Sequence, residues 1–422
     1  MASSVTLLDE ALPIEHSPKT IETSQDERFT LLPLPAHPSL IQNIDPLFGR
    51  IITNANLSQP LSPTTISKLT RLLHTHSVLV FKNQSISPQT QLQLTRMFDT
   101  SAPGFYGHDN NTKQKSSILH PDLKTIPSVP QVQLIGHGHI AEDHEGLVNV
   151  TLNHPHHKTF HKTVVSQEDE DKKGWTRFYR WHIDAALYDL CPPVATTLYA
   201  IRVPKAEWQT VKYDDGSGEE LKVPVGATAF ISGAQAFDIL PRHYKSLAVR
   251  TRVTYAPHPY VWMSPAKSNS VGLGIITEGK ELAFVDLPPF SEDKIKTLPM
   301  VWKNPTTERL HLQVHPSAIL KLEISAVEVP QDGDLFASGA VLTDLKEVRD
   351  LVYGIQRPAV SPQYVYAHDW SEGDFVIFHN RGVLHSVTGA FKEDQVRMFH
   401  QCNLASGYDP VGPDAENIAK YC

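Results

Sequence analysis

The chain has 422 residues, with 38 basic and 46 acidic side chains for a formal charge of −8, and is 40% hydrophobic and 20% charged. These are globular values, so wholesale disorder is excluded. No cationic excess is present to neutralise phosphates, which argues against a dedicated nucleic-acid binder.

Residues 1–40 are rich in Pro and Ser without a sustained period and read as a loosely ordered N-terminal extension. Residues 41–422 show no dividing linker and no internal repeat, so they are expected to form a single domain. Ser62-Pro63 writes a helix start, Ser as N-cap and Pro in the first turn, followed by the stripe Ile66, Leu69, Leu72 and Leu73. Val78–Phe81 reads as a short buried strand, and Ser87-Pro88 starts a second helix. Beyond residue 100, short β-rich runs alternate with Pro/Gly/Asp loops. They are Val132–Ile135, Leu147–Leu152, Phe178–Ile183, Thr196–Val203, Leu221–Ile231, Val249–Tyr255, Tyr364–Ala367, Asp374–His379, His385–Gly389 and Val396–Leu404. Many short strands with turn signals between them predict a sandwich or barrel. Helices are expected at about 234–246 and 342–355, and residues 262–315 read as an insertion. The expected class is mainly β with flanking helices (α+β).

Twenty-two histidines stand against three cysteines, Cys191, Cys402 and Cys422, which form no CxxC pair. A thiol-poor chain fits a reducing compartment, and any metal would be held by imidazole and carboxylate. No run of 18 apolar residues exists, so no membrane span is expected. The start MASSVTLLDEALPIEH lacks a basic n-region and the end NIAKYC carries no lipidation or retention pattern. The expectation is a soluble cytoplasmic protein.

His182 and Asp184 are two apart in Arg177–Asp184, so on a strand they share a face and can grip one cation. His385 is the best third ligand. Two His and one carboxylate with open positions are the donor set of non-haem Fe(II) oxygenases. Arg397 follows His385 by twelve residues, and its guanidinium can take a carboxylate in a bidentate fork.

These stretches, in this order, resemble the taurine/2,4-D dioxygenase (TauD/TfdA) family of Fe(II)/2-oxoglutarate-dependent oxygenases. Residues 41–98 resemble its opening block, and Trp181-His-Ile-Asp184 its first metal motif. Pro192-Pro193 with Leu198–Pro204 resembles the next strand. Ser371-Glu-Gly-Asp374 with Asn380-Arg381 and His385 resembles the distal motif. The resemblance covers about residues 41–405. It implies a double-stranded β-helix (jelly roll, cupin-like) core, Fe(II), 2-oxoglutarate as cosubstrate and O2. It also implies metal ligands His182, Asp184 and His385, cosubstrate binding by Arg397, and a threonine about 25 residues after the aspartate. Thr210 is the nearest match, with Thr196 and Thr197 competing.

Period two places Arg397, Phe399, Gln401 and Asn403 on one strand face. Buried amides need partners, and a planar heterocycle with alternating N–H and C=O groups supplies them. Gln131 and Gln133 repeat the alternation. With the acidic run Glu168–Asp171, these features resemble the fungal-type xanthine dioxygenases, which hydroxylate xanthine to uric acid in purine catabolism. That resemblance carries over Glu170 and Asp171 as substrate residues; Phe399, on the inward strand face, would add a stacking contact. A sulfonate or aryloxyalkanoate oxygenase would call for a second inward cation and few amides. A β-helix protein that merely binds a ligand or metal is the non-enzyme alternative. The loop His154–His161 carries four histidines without an adjacent carboxylate or Cys and reads as polar loop near the site entrance. The 166–175 and 214–218 loops are lid candidates, and the sequence leaves a homo-oligomer open.

Overall fold

Two serine–proline pairs start helices where the sequence writes them. In the computed structural model, which describes residues 29–103, 124–205 and 207–422, Ser62 Oγ accepts from the Thr65 amide at 3.1 Å and Ser87 Oγ from the Thr90 amide at 3.1 Å. Each satisfies an otherwise orphaned N-terminal donor. The helices Pro63–His76 and Pro88–Met97 bury Leu69, Leu73 and Leu94 against Leu79, Phe81, Phe375 and Ile377 on the outer face of the main sheet.

The main sheet runs in the order Thr30–Pro33, Arg50–Thr53, Val78–Phe81, Phe375–His379, Ala195–Arg202, Arg397–Asn403, Val129–Ile140, Lys124–Ile126, with Val150–Leu152 paired to Val129–Ile140. Neighbours distant in sequence make it a sheet of long-range pairings. A smaller sheet, Tyr366–His368, Thr228–Ser232 and Val383–Val387, faces it. Leu198, Ala200, Val376, Phe378 and Phe399 from the first pack with Phe230, Tyr366 and Val383 from the second. The largest apolar cluster lies beyond the smaller sheet and takes in the four strands Thr297–Pro299, Thr251–Tyr255, Ile319–Ile324 and Ala340–Leu342.

Several expected elements differ. Residues 30–33 of the supposed loose extension form a strand paired with Arg50–Thr53; residues 1–28 lie outside the described residues. The expected helix at 234–246 is two, Gly233–Asp238 and Arg242–Val249, because Pro241 offers no N–H to a continuous helix. The run Leu221–Ile231 splits into Glu220–Val223 and Thr228–Ser232. Phe178–Ile183 is not a regular strand but is clasped by isolated pairings, Phe178 with Thr388 and His182 with His385. The 166–175 loop contains the helix Gln167–Lys173. The 214–218 loop is pinned by Arg357 on Asp215. The 262–315 insertion supplies core residues, Leu298, Met300, Trp302 and Leu312 among them.

Candidate active site

His182 and His385 face each other across a backbone pair, with amide–carbonyl bonds of 3.0 Å in both directions. This brings their rings to 4.2 Å between centroids. Asp184 Oδ1 lies 3.7 Å from His182 Nε2 and 3.5 Å from His385 Nε2. One ligand atom from each residue falls within 4.8 Å of the others.

Two members, His182 and Asp184, are held from behind. His182 Nδ1 donates to the Arg180 carbonyl at 2.9 Å, which leaves the Nε2 lone pair free to face Asp184. Asp184 Oδ2 accepts from Thr196 Oγ1 at 2.8 Å and from Gln401 Nε2 at 3.1 Å. The Asp184 backbone is gripped by the Asn380 side chain, whose Oδ1 accepts from the Asp184 amide and whose Nδ2 donates to the Asp184 carbonyl, each at 2.8 Å. Burial foremost, with the neighbouring His385, pushes His182 down to about 3, so the imidazole is neutral. Burial alone would raise Asp184, but the imidazoles of His385 and His182 and the Thr196 hydroxyl hold it below the usual carboxylate range.

A cavity of about 190 Å³ opens on the triad. Arg397 and Gln401 line it, as do Tyr179, Arg180, His154 and Thr228. Arg397 is 2% exposed, donates Nε–H to the Gly226 carbonyl at 3.0 Å and lies 3.9 Å from the Phe399 ring centre. Gly226 has φ +73° and a Cβ there would stand 3.0 Å from Arg397 Cδ, so a side chain would crowd the guanidinium. Burial lowers the Arg397 pKa, and among the described residues no carboxylate forms an ion pair with it. A carboxylate ligand would complete it.

The other candidates are distributed differently. Thr210 lies on Gln209–Lys212 in a separate three-stranded sheet and does not line the cavity. Thr196 is on Asp184, whereas Thr197 bonds Gln91, Thr95 and the Cys402 carbonyl. Phe399 shares the inward face, but its ring is covered by Arg397 and by Trp370 at 4.7 Å edge-on, which leaves no face for a substrate. Gln133 pairs in register with Gln401, one strand over. Neither Gln131, Gln133 nor Asn403 lines the cavity; Asn403 is buried with Oδ1 unbonded.

Glu170 and Asp171 are also off the cavity wall. Asp171 is exposed and accepts from Gln167. Glu170 is buried against the histidine loop, 3.5 Å from His156 Nε2 and 3.3 Å from His157 Nε2, and bonded to Lys158 Nζ. The carboxylate that the sequence did not place beside these histidines therefore comes from the helix that follows. The group has metal-like spacing, yet His157 Nε2 already accepts the Val165 amide at 3.2 Å and Lys158 neutralises the carboxylate. It is a Lys158–Glu170 ion pair beside two histidines that follow Asn153, His154 and Pro155 of the wall directly in sequence.

The model of the family described as taurine catabolism dioxygenase TauD, TfdA family, matches residues 40–403. The chain belongs to this family. The alpha-ketoglutarate-dependent xanthine dioxygenase of Emericella nidulans is 55% identical over 361 residues, 85% of this chain and 93% of that one. Its Neurospora crassa counterpart is 52% identical over 376 residues, covering 87% and 86%. That of Schizosaccharomyces pombe is 49% identical over 399 residues, covering 94% and 92%. The crystal structure of a taurine dioxygenase from Burkholderia xenovorans matches with a TM-score of 0.52 at 16% identity, over 92% of this chain and 93% of that one, which shows the shared fold.

The donor set fits the ferrous ion that TauD-type dioxygenases imply. A buried carboxylate flanked by two imidazoles, at least one of them neutral, is short of positive charge. A divalent cation on Oδ1 and the two Nε2 atoms would supply it. Among the described residues no helix is long and apolar enough to cross a membrane.

Proposed function

We propose that this chain is an Fe(II)- and 2-oxoglutarate-dependent dioxygenase that hydroxylates xanthine at C8 to uric acid. The observation that carries the reading is one cavity lined by the His182–Asp184–His385 triad and by Arg397, in a chain 55% identical to a curated xanthine dioxygenase. The two facing sheets read as the double-stranded β-helix of the cupin class, and the enzyme as cytoplasmic.

His182, Asp184 and His385 would hold the iron, and Thr196 and Gln401 would fix the second carboxylate oxygen so that Oδ1 alone points at it. Arg397 would pair with the distal carboxylate of 2-oxoglutarate. Bound iron supplies the activation of dioxygen coupled to decarboxylation of the cosubstrate. One oxygen atom enters xanthine and the other enters succinate, with release of carbon dioxide. Gln401 borders the cavity and would set the orientation of the purine, with Gln133 paired to it in register on the next strand, off the wall, as its support.

A sulfonate or aryloxyalkanoate substrate is favoured by one observation, the presence of Arg180 as a second cation on the cavity wall. The test of the proposed reading is incubation of the protein with Fe(II), ascorbate and 2-oxoglutarate plus xanthine, taurine or an aryloxyacetate. Urate absorbance with matching succinate from xanthine alone supports it. Succinate formed only with an alternative substrate overturns it.

A further inference from the structure

Resting on the reading of the cavity as a xanthine dioxygenase site, we propose that Arg180 is a substrate-binding and specificity-determining residue: its guanidinium takes the anionic edge of the purine. Arg180 lines the cavity two residues before the ligand His182. Its main chain is fixed at both ends, the amide donating to Ser386 Oγ at 3.2 Å and the carbonyl accepting from His182 Nδ1 at 2.9 Å. Its guanidinium carbon lies between three rings, 5.3 Å from Phe160, 5.4 Å from Tyr179 and 5.1 Å from Tyr260. The rings hold the cation in place but do not neutralise it.

Among the described residues no carboxylate and no carbonyl answers that charge. Among the described residues the Arg180 guanidinium makes no hydrogen bond or ion pair, and its Nε is buried without a partner. Other arginines of this fold are paired: Arg177 with Asp214, Arg349 with Glu281, Arg357 with Asp215 and Glu219. Arg180 is half-buried with its Nε enclosed and unbonded, so its guanidinium, without a counterion among the described residues, marks where ligand charge belongs on the cavity wall. With a divalent cation on the triad and a dianionic cosubstrate beside it, the charges of Asp184, Arg397 and Arg180 leave one positive charge over. Arg180 is the cation not already assigned.

Xanthine suits this cation. It is a weak acid that loses a ring N–H proton near neutral pH, which spreads negative charge over a ring nitrogen and the adjacent carbonyl oxygen. A guanidinium edge offers two parallel N–H donors to such an N–C=O edge, where an ammonium offers a point charge. The guanidinium selects for negative charge, which a sulfonate would also meet; the Gln401 amide on the same wall is what distinguishes a purine edge.

The experiment compares wild-type enzyme with Arg180→Met and Arg180→Lys. Steady-state KM and kcat are measured for xanthine and 2-oxoglutarate, and xanthine binding to the anaerobic Fe(II)–2-oxoglutarate enzyme is measured by calorimetry. A charge-assisted fork predicts about a tenfold to hundredfold rise in both the KM and the Kd for xanthine in Arg180→Met. The 2-oxoglutarate KM should stay within about twofold, and Arg180→Lys should recover part of the loss. Unchanged xanthine Kd in both variants overturns the proposal while leaving wild-type xanthine turnover intact. An equal rise in both KM values also overturns it, placing Arg180 on the cosubstrate or the metal centre. If Arg180→Met does not fold, unchanged xanthine affinity in Arg180→Lys overturns the fork. Wild-type protein that binds no xanthine overturns both this inference and the reading beneath it.

Discussion

Gln401 donates its side-chain N–H to Oδ2 of Asp184 at 3.1 Å. Its strand position alone reads as substrate contact, whereas the bond makes it a support for Asp184, the proposed metal ligand, while Gln401 also borders the cavity. Replacement by Leu is expected to weaken iron affinity by roughly tenfold to a hundredfold, the usual cost of losing a partner behind a ligand. Iron titration followed by the 2-oxoglutarate–iron absorption band checks this. A variant with wild-type iron affinity and a raised xanthine KM would return Gln401 to substrate binding alone.

The triad itself predicts a steeper loss. Asp184→Asn removes the negative charge on which both imidazoles converge, and His385→Ala removes one of three donors. Both proteins are expected to lose nearly all bound iron and turnover while keeping their fold. Metal analysis after gel filtration, beside circular dichroism, is the measurement. Full activity in either variant contradicts the assignment.

Phe399 should act through Arg397 rather than through substrate. Its ring lies 3.9 Å from the guanidinium carbon and is fully buried. Phe399→Leu is expected to raise the 2-oxoglutarate KM more than the xanthine KM, and Phe399→Ala to destabilise the protein by about 3–5 kcal/mol. A larger effect on xanthine would mean that the ring face becomes available to the purine in the working enzyme.

Stability is expected to fall with acid below the ordinary histidine range. Burial chiefly pushes His161 and His311 down to about 4, and His400 down to about 3, from a value of 6.5. In the unfolded chain these rings protonate near 6.5, and in the fold they do not until pH 4 or 3. The folded state therefore binds fewer protons inside that window. Their contribution is complete above about pH 6.5 and is lost as pH falls toward 4, at about 1.4 kcal/mol per pH unit for each ring. Urea unfolding at pH 7.5, 6 and 5 measures the slope, and His311→Asn should reduce it. An unchanged slope would show that His311 takes up no proton on unfolding.

The triad was legible because its cues are local. Two ligands two residues apart, an Asn-Arg pair and a histidine four residues later are patterns a linear reading can hold. Asn380 illustrates why they recur together: one amide side chain secures both the amide and the carbonyl of Asp184. What escaped depends on contacts distant in sequence. Nothing in the sequence pairs Glu170 with His156 and His157, which the helix Gln167–Lys173 brings together. Spacing chose Thr210, whereas strand register places Thr196 on Asp184. Arg180 carries a weaker local signal, a cation two residues before His182 on the same expected face. The 262–315 stretch looked like insertion because its strands are only two or three residues long, yet it fills the core and its last residue, His315, packs near His182.

The central claim is the coupling of one substrate to one cavity, and stoichiometry tests it most directly. Protein supplied with Fe(II), oxygen, 2-oxoglutarate and xanthine should form urate and succinate in equal amounts, with urate formation lost in His182→Ala. Succinate released without urate, or urate formed without consumption of 2-oxoglutarate, would contradict the account.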